Sequence, residues 1–335
     1  MPRGLEPSTL LWAVGWDVLL GDIPEEADPV GLATRAADAI EARAPQNSYV
    51  ARTVYAMGAA FALPYAAWLG TRWALGAARL VHGAVYRETA TALLKGALSI
   101  RGSLNALRDE QESSDEAAHS GDEAVSGDVE RLMREAGMAE SVIGTTSEAS
   151  PEEQQRRRSH ALRKLGNNFR DGVVGPLLYF SVFGIPGAVA YRVVKTMGAR
   201  WRRHGDDPLA VAARRIDTAA TIAPAVATGL ILSAGAQLTA QRGAETWDTS
   251  RAEARARGTI LEAGWTEAAM AGALGVRLSA EPELTEWEQD TNPEGRAIEA
   301  DDIDQARQLF WIASAWAVAG ALAAIVLRNA IKARR

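Results

Sequence analysis

The sequence predicts an all-α, polytopic integral membrane protein, and three observations carry that reading. Four uncharged runs approach the roughly 20 residues that an α-helix needs to cross a bilayer core. Helix formers (Ala, Leu, Arg, Glu) dominate throughout, while alternation of period two is scarce. The apolar content of 47% is ordinary for a globular chain, so the membrane signal lies in how the apolar residues are distributed.

In chain order, the first apolar run is Pro7 to Gly21, short and interrupted by Asp17. Only Arg3 is basic ahead of it and no small-residue cleavage site follows, which argues against a secretory signal. Next come Thr53 to Thr71 (19 residues), Gly172 to Tyr191 (20), Thr218 to Gln241 (24) and Gln308 to Leu327 (20), each closed by charges at both ends. Trp311 and Trp316 lie in the last of these, and aromatic residues favour the membrane interface. One such run is compatible with the buried helix of a soluble protein. Four in 335 residues point to a multi-pass protein of the cell membrane, in contact with lipid.

Gly172–Tyr191 is a poor simple helix, because Gly175, Pro176, Gly184, Pro186 and Gly187 interrupt it. Broken backbone at membrane depth is tolerated where protein or a water-filled cavity satisfies its polar groups. The segment reads either as a re-entrant, site-forming element or as a Pro-kinked span. Charge favours the re-entrant form. Segment 72–170 carries fourteen Lys or Arg and segment 192–217 carries seven, and a re-entrant segment puts both on one side.

Three regions follow: N-terminal membrane segments and a helical pair (1–108), an acidic linker (109–130), and a membrane-embedded core (131–335) with a polar part at 242–307. The linker holds nine acids and no Lys or Arg, a composition that predicts disorder. Residues 131–165 read as amphipathic helix, with Pro151 in a first turn after Ser150.

Composition excludes several classes. The net charge of -6 argues against a basic nucleic-acid binder. The absence of Cys removes thiol chemistry, and the four scattered His form no metal-ligand pair, so no Cys or His metal site is expected. No phosphate-binding glycine loop, nucleophile elbow or dinucleotide fingerprint is present. Polar residues instead crowd the ends of the apolar runs: Asn167, Asn168 and Asp171, then Tyr191, Arg192 and Lys195, then Arg214, Arg215 and Asp217. Ionisable groups at that depth are costly, and they mark either a site or interfacial anchors. Asn168, Asp171, Tyr191, Arg192, Arg215 and Asp217 are expected to converge on one polar cavity.

The string NNFRDGVVGPLLYFSVFGIPGAVAYRVVKTMG (167–198) resembles the most characteristic stretch of the CobD/CbiB family, the adenosylcobinamide-phosphate synthases of cobalamin biosynthesis. That pattern reads Glu-Asn-x-x-Asp-Gly, Pro-Leu-x-Tyr, Gly-x-Pro-Gly-Ala-x-x-Tyr-Arg and Asn-Thr-Leu-Asp. AARRIDTAATIAPA (212–225), AGWTEAAMAGALGVRL (263–278) and DVLLGDIPEEADPV (17–30) are similar to three further family stretches, in the family's order. Departures are concentrated at polar positions. Asn167 stands for Glu, Lys195 for Asn, Gly198 for Asp, Thr218 for the second Asp of a pair, Thr221 for Asn and Val226 for Arg. Residues 260–262 depart from Ser-Pro-Asn, Thr145 and Thr146 from Arg-Asp, and Asp28 from His.

The resemblance implies amide formation with ATP as the activating reagent. The propionate of adenosylcobyric acid is joined to aminopropanol or its phosphate. It implies Asp22, Asn168, Asp171 and Asp217 as catalytic residues. Tyr191, Arg192, Lys195, Thr196, Arg215 and Trp265 are the implied substrate-binding residues, with Arg192 and Arg215 on phosphate and Trp265 stacked on the corrin or simply packed. ATP and Mg²⁺ are the implied cofactors, with Asp171 and Asp217 as candidate Mg²⁺ ligands. The departures imply an alternative: a catalytically inactive corrinoid-binding or assembly paralogue in the membrane.

Overall fold

The computed structural model describes residues 7–20, 29–105, 151–239, 242–256, 264–279 and 290–334. Asp22, Asp28, the acidic stretch 109–130, Thr145, Thr146 and residues 260–262 lie outside them. The described residues are helical apart from short connections and two isolated β-bridges, Val276 with Arg296 and Leu278 with Thr291.

Proline sets several helix starts. Pro7, Pro29, Pro151 and Pro208 are each the first residue of a helix, where the missing N–H costs no intrahelical bond. The first four helices are Pro7–Leu20, Pro29–Ala42, Tyr49–Val81 and Gly83–Ala97. The Ser48 side chain caps the third of these by accepting the Ala51 N–H. His82 ends that helix in extended backbone and caps the next, its Nδ1 accepting the Ala84 N–H at 3.1 Å. Asp17, the one charge in the first apolar run, is buried. Its carboxylate accepts the backbone N–H groups of Ile100 (2.7 Å) and Arg101 (3.3 Å), which open the helical stretch 100–105. A carboxylate there offsets the positive end of a helix, so this buried charge has a structural occupation.

The interrupted central run folds as a helical hairpin. Pro151–Phe169 continues through one π-helical turn, Arg170–Val174, into Gly175–Phe183. Pro176 lacks the N–H that would bond to the Gly172 carbonyl four residues back. The Ser99 N–H takes that carbonyl instead, at 2.9 Å, so the break is satisfied from outside the helix. The chain reverses at Gly184, whose φ of 77° is a backbone conformation glycine adopts without strain. Ile185–Trp201 then runs back along the first arm. The arms meet at Gly175, where an added Cβ would lie 2.2 Å from the Tyr191 ring.

The last helix, Ala300–Ala333, fixes how the hairpin lies. Phe169 packs edge-on against Phe310 at 5.3 Å. At the tip, Arg328 Nη1 donates to the carbonyls of Ser181 (3.0 Å) and Val182 (2.6 Å). The first arm therefore lies along the apolar stretch from Phe310 to Arg328. Both arms end together at the other end, where Asp171 and Lys195 form an ion pair. The segment is thus a helical hairpin rather than a single kinked helix.

Pro208–Thr239 and Ala300–Ala333 are long and apolar enough to cross a membrane. Large apolar side chains are exposed on both, among them Leu230, Leu238, Trp311, Trp316 and Leu327, and also on Trp12, Trp16, Phe61, Trp73 and Phe183 elsewhere.

The part expected to be polar, 242–307, contains a helix, Gly264–Leu274, that is buried at every residue. Its Ala, Gly and Met composition allows neighbouring helices to approach on all sides. It packs on Pro151–Phe169, Gly243–Ala256 and Pro208–Thr239. A hydrogen-bonded clasp follows, in which Leu278 and Thr291 exchange backbone bonds and Arg277 N–H reaches the Arg296 carbonyl.

Candidate functional site

The hairpin's open end and Pro208–Thr239 together build a buried charged centre. Helical periodicity puts Tyr191 and Lys195, four residues apart, on one face, and does the same for Asp217 and Thr221. The Lys195 ammonium lies 2.7 Å from Asp217 Oδ1 and 3.1 Å from Asp171 Oδ2, and it donates to Thr221 Oγ1 at 3.1 Å. Asp171 also accepts two bonds from its neighbour Arg170, at 2.8 and 2.9 Å, and one from the Tyr191 hydroxyl at 3.1 Å. Asp217 accepts from Arg202 Nη2 at 3.0 Å. Tyr191 stacks on Tyr179 at 4.8 Å, and the Tyr179 hydroxyl donates to the Ala220 carbonyl, so the aromatic pair ties the hairpin to the neighbouring helix.

Of the residues expected to converge, Asp171, Tyr191 and Asp217 do, and Lys195 joins the two acids. The others stand apart among the described residues. The Asn168 side chain makes no hydrogen bond, although its carbonyl accepts from Ser103. Arg192 is half-buried with its Nε unpartnered, and Arg215 is exposed. The Thr196 hydroxyl donates to the Arg192 carbonyl one turn back. Trp265 is buried and stacks on Trp247 at 5.4 Å, which is a packing contact. The corrections to Arg192 and Arg215 have one cause. Each is turned around its helix away from the residues that face the centre, Arg215 by about 120° or more from Asp217 and Thr221, and Arg192 by about 100° from Tyr191 and about 60° from Lys195. Sequence reasoning missed Arg170 and Arg202 as members. Their signals were present, since Arg170 adjoins Asp171 and Arg202 lies in the basic run 200–203.

The donor set does not fit Mg²⁺ between Asp171 and Asp217. That ion demands near-octahedral oxygen ligation. Here the facing carboxylate oxygens meet an ammonium, and Asp171's are also committed to Arg170 and Tyr191. Three cations (Arg170, Lys195, Arg202) face two acids, so the centre carries a surplus of positive charge. Arg170 is buried, yet its Nη1 has no partner among the described residues, which leaves an unsatisfied N–H donor that an anionic oxygen could satisfy only after neighbouring side chains move.

A second buried pair lies on the Pro151–Phe169 helix. Arg163 pairs with Glu267 at 2.5 Å and donates from Nη2 to the carbonyls of Leu278 and Ser279. Asn167 Nδ2 reaches Glu267 Oε1 at 3.4 Å. This pair pins the buried helix and the clasp to the stem of the hairpin.

A family model described as "CobD/Cbib protein" matches residues 10–310 of this sequence. The chain belongs to the CobD/CbiB family. Curated members of that family are named as proteins of cobalamin biosynthesis. The chain is 34% identical over 164 residues to "Cobalamin biosynthesis protein CobD" of Brucella anthropi, covering 45% of this chain and 48% of that protein. It is 30% identical over 207 residues to the protein of the same name from Citrobacter koseri, covering 57% and 63%. It is 31% identical over 214 residues to "Cobalamin biosynthesis protein CbiB" of Salmonella arizonae, covering 59% and 64%. The matches thus span about half to two-thirds of the length of these CobD/CbiB relatives. No solved structure matches the chain.

Proposed function

We propose that this CobD/CbiB member joins aminopropanol, or its phosphate, to the propionate of adenosylcobyric acid in an ATP-dependent amide-forming reaction, within a multi-pass membrane domain. The observation that carries the reading is the buried Asp171–Lys195–Asp217 centre with its surplus positive charge, in which Asp171 and Asp217 fit the family's motifs and Lys195 stands for Asn. All three reactants present anionic oxygens: the corrinoid propionate, the ATP phosphates and the amino-alcohol phosphate. Arg170, with a free N–H, and Arg202, half-exposed at the rim, are the groups that pair with such oxygens. Asp171 and Tyr191 hold Arg170 and Lys195 in place. In the reaction ATP transfers its terminal phosphoryl group to the carboxylate and leaves as ADP; the amine nitrogen then attacks the acyl carbon, the acyl C–O bond breaks to release phosphate, and the nitrogen gives up a proton as the C–N bond forms. The exposed tryptophans and leucines of the two helices long and apolar enough to cross a membrane support burial in lipid.

A second reading rests on the replaced polar residues. With Lys195 tied to both acids, the centre also suits a corrinoid-binding or assembly protein without turnover. Full-length protein purified in detergent, given ATP, adenosylcobyric acid and aminopropanol phosphate, is expected to release adenosylcobinamide phosphate. Asp217→Asn is expected to cut that release at least tenfold. Corrinoid binding without any product supports the second reading, and neither binding nor product rejects both.

A further inference from the structure

Three departures from the family pattern meet at one place in the structure, and a fourth adjoins it in the chain. Lys195, standing for Asn, puts its ammonium on Asp171 and Asp217. Thr221, standing for Asn, accepts a hydrogen bond from that ammonium. Gly198, standing for Asp, lies against Asp217: a Cβ added there would be 3.2 Å from the Asp217 carboxyl carbon. Thr218, standing for Asp, adjoins Asp217 in the chain. Three of the four replacements change local charge in the same direction, removing two carboxylates and adding one ammonium. Scattered decay of an unused site has no reason to share a sign or to converge on one nitrogen.

From this we infer that the Lys195 ammonium takes the place of a divalent cation, so that the centre of this chain is metal-independent and keeps its surplus charge for an anionic substrate group. An ammonium has three N–H donors, and here they face three oxygens: two carboxylates and a hydroxyl. A pattern with Asp at 198 and 218 beside Asp217 gathers more acids than the neighbouring cations can neutralise, and a divalent ion offsets them. Deleting those two acids and inserting Lys neutralises the same volume with a covalently attached charge. A metal ion added to the present centre would sit beside Lys195, Arg170 and Arg202 and be repelled by all three. The anionic group it keeps charge for is a phosphate or carboxylate oxygen, which would satisfy the buried, unpartnered Nη1 of Arg170.

The test uses Mn²⁺ as probe on the full-length protein in detergent, read by thermal unfolding. An ion that binds the native state raises Tm, whereas acidic segments that bind equally in both states do not move it. Saturating Mn²⁺ is expected to leave the wild-type Tm unchanged. The triple variant Lys195→Asn, Gly198→Asp, Thr218→Asp is expected to gain a Mn²⁺-dependent rise in Tm. A wild-type rise that Asp217→Asn abolishes overturns the inference, and so does a folded triple variant that ignores Mn²⁺. If either variant fails to fold, the wild-type titration decides alone, since any Mn²⁺-dependent rise there counts against it. The readout needs no turnover, so the inference and the amide-forming reading of the same centre fail separately.

Discussion

Two buried ionic clusters lie about two turns apart along the hairpin's first arm, yet they are built for different work. Arg163 and Glu267 are each nearly inaccessible, and Arg163 donates from Nη2 to the backbone carbonyls of Leu278 and Ser279, while its Nε has no partner among the described residues. Removing either partner strands the other. The Asp171–Lys195–Asp217 centre is redundant instead. Each acid has a second cation, and Arg202 is half in solvent. A structural pair matches its charges one to one and ties them to backbone. A binding centre carries charge beyond its internal needs and keeps an edge open to solvent. That contrast is why the second is the proposed site and the first the clamp that holds the hairpin stem.

The sharpest way to break the comparison is to neutralise one cation in each. Arg163→Met leaves Glu267 charged and buried, and is expected to cost about 3–5 kcal/mol of stability. Lys195→Met leaves Arg170 on Asp171 and Arg202 on Asp217, and is expected to cost about 1–3 kcal/mol. Unfolding of both variants in detergent checks the order, and equal losses refute the distinction.

A smaller effect is expected from Asn167→Glu, which sets a second carboxylate beside Glu267. The like charges raise the pKa of the new carboxyl above its unfolded value. The penalty, about 1–2 kcal/mol, is therefore present at neutral pH and relieved as the pH falls through the raised value. Stability of this variant relative to wild type, followed from neutral to mildly acid pH, should rise. A flat difference means that Arg163 neutralises both carboxylates.

The smallest effect is expected at the start of the last helix, ahead of its apolar stretch. Asp302 accepts from both Nη atoms of Arg296 and from the Glu299 N–H in a capping box. Burial opposes its charge, but the hydrogen bonds from Arg296 and the Glu299 N–H outweigh burial and hold its carboxyl below the ordinary range. Because the folded pKa is depressed, this contribution is present above the ordinary carboxylate range and is lost as the pH falls through the lowered value. Asp302→Asn is expected to cost about 1 kcal/mol and to remove that part of the acid sensitivity.

Several features were legible in the sequence because they are local. Absent alternation announced a helical chain, and glycine and proline spacing announced the break that became the turn at Gly184. The family motifs located Asp171, Tyr191 and Asp217 in the right order. Helical spacing even held a signal for Lys195 over Arg192, since Lys195 is four residues from Tyr191 and shares its face. What the sequence left open was which charges meet. Arg192, Lys195 and Arg215 are equivalent as cations flanking apolar runs. Only the antiparallel return of the hairpin, made close by the missing Cβ of Gly175, brings Lys195 onto Asp171. Only the packing of Pro208–Thr239 against it adds Asp217. Likewise, nothing in Asn167 announced a partner 100 residues away in Glu267. The chain by itself determined its helices, its break and its family. Tertiary packing decided which buried charges pair, because a charge is stabilised by what lies within a few ångströms of it, and those neighbours come from distant parts of the chain.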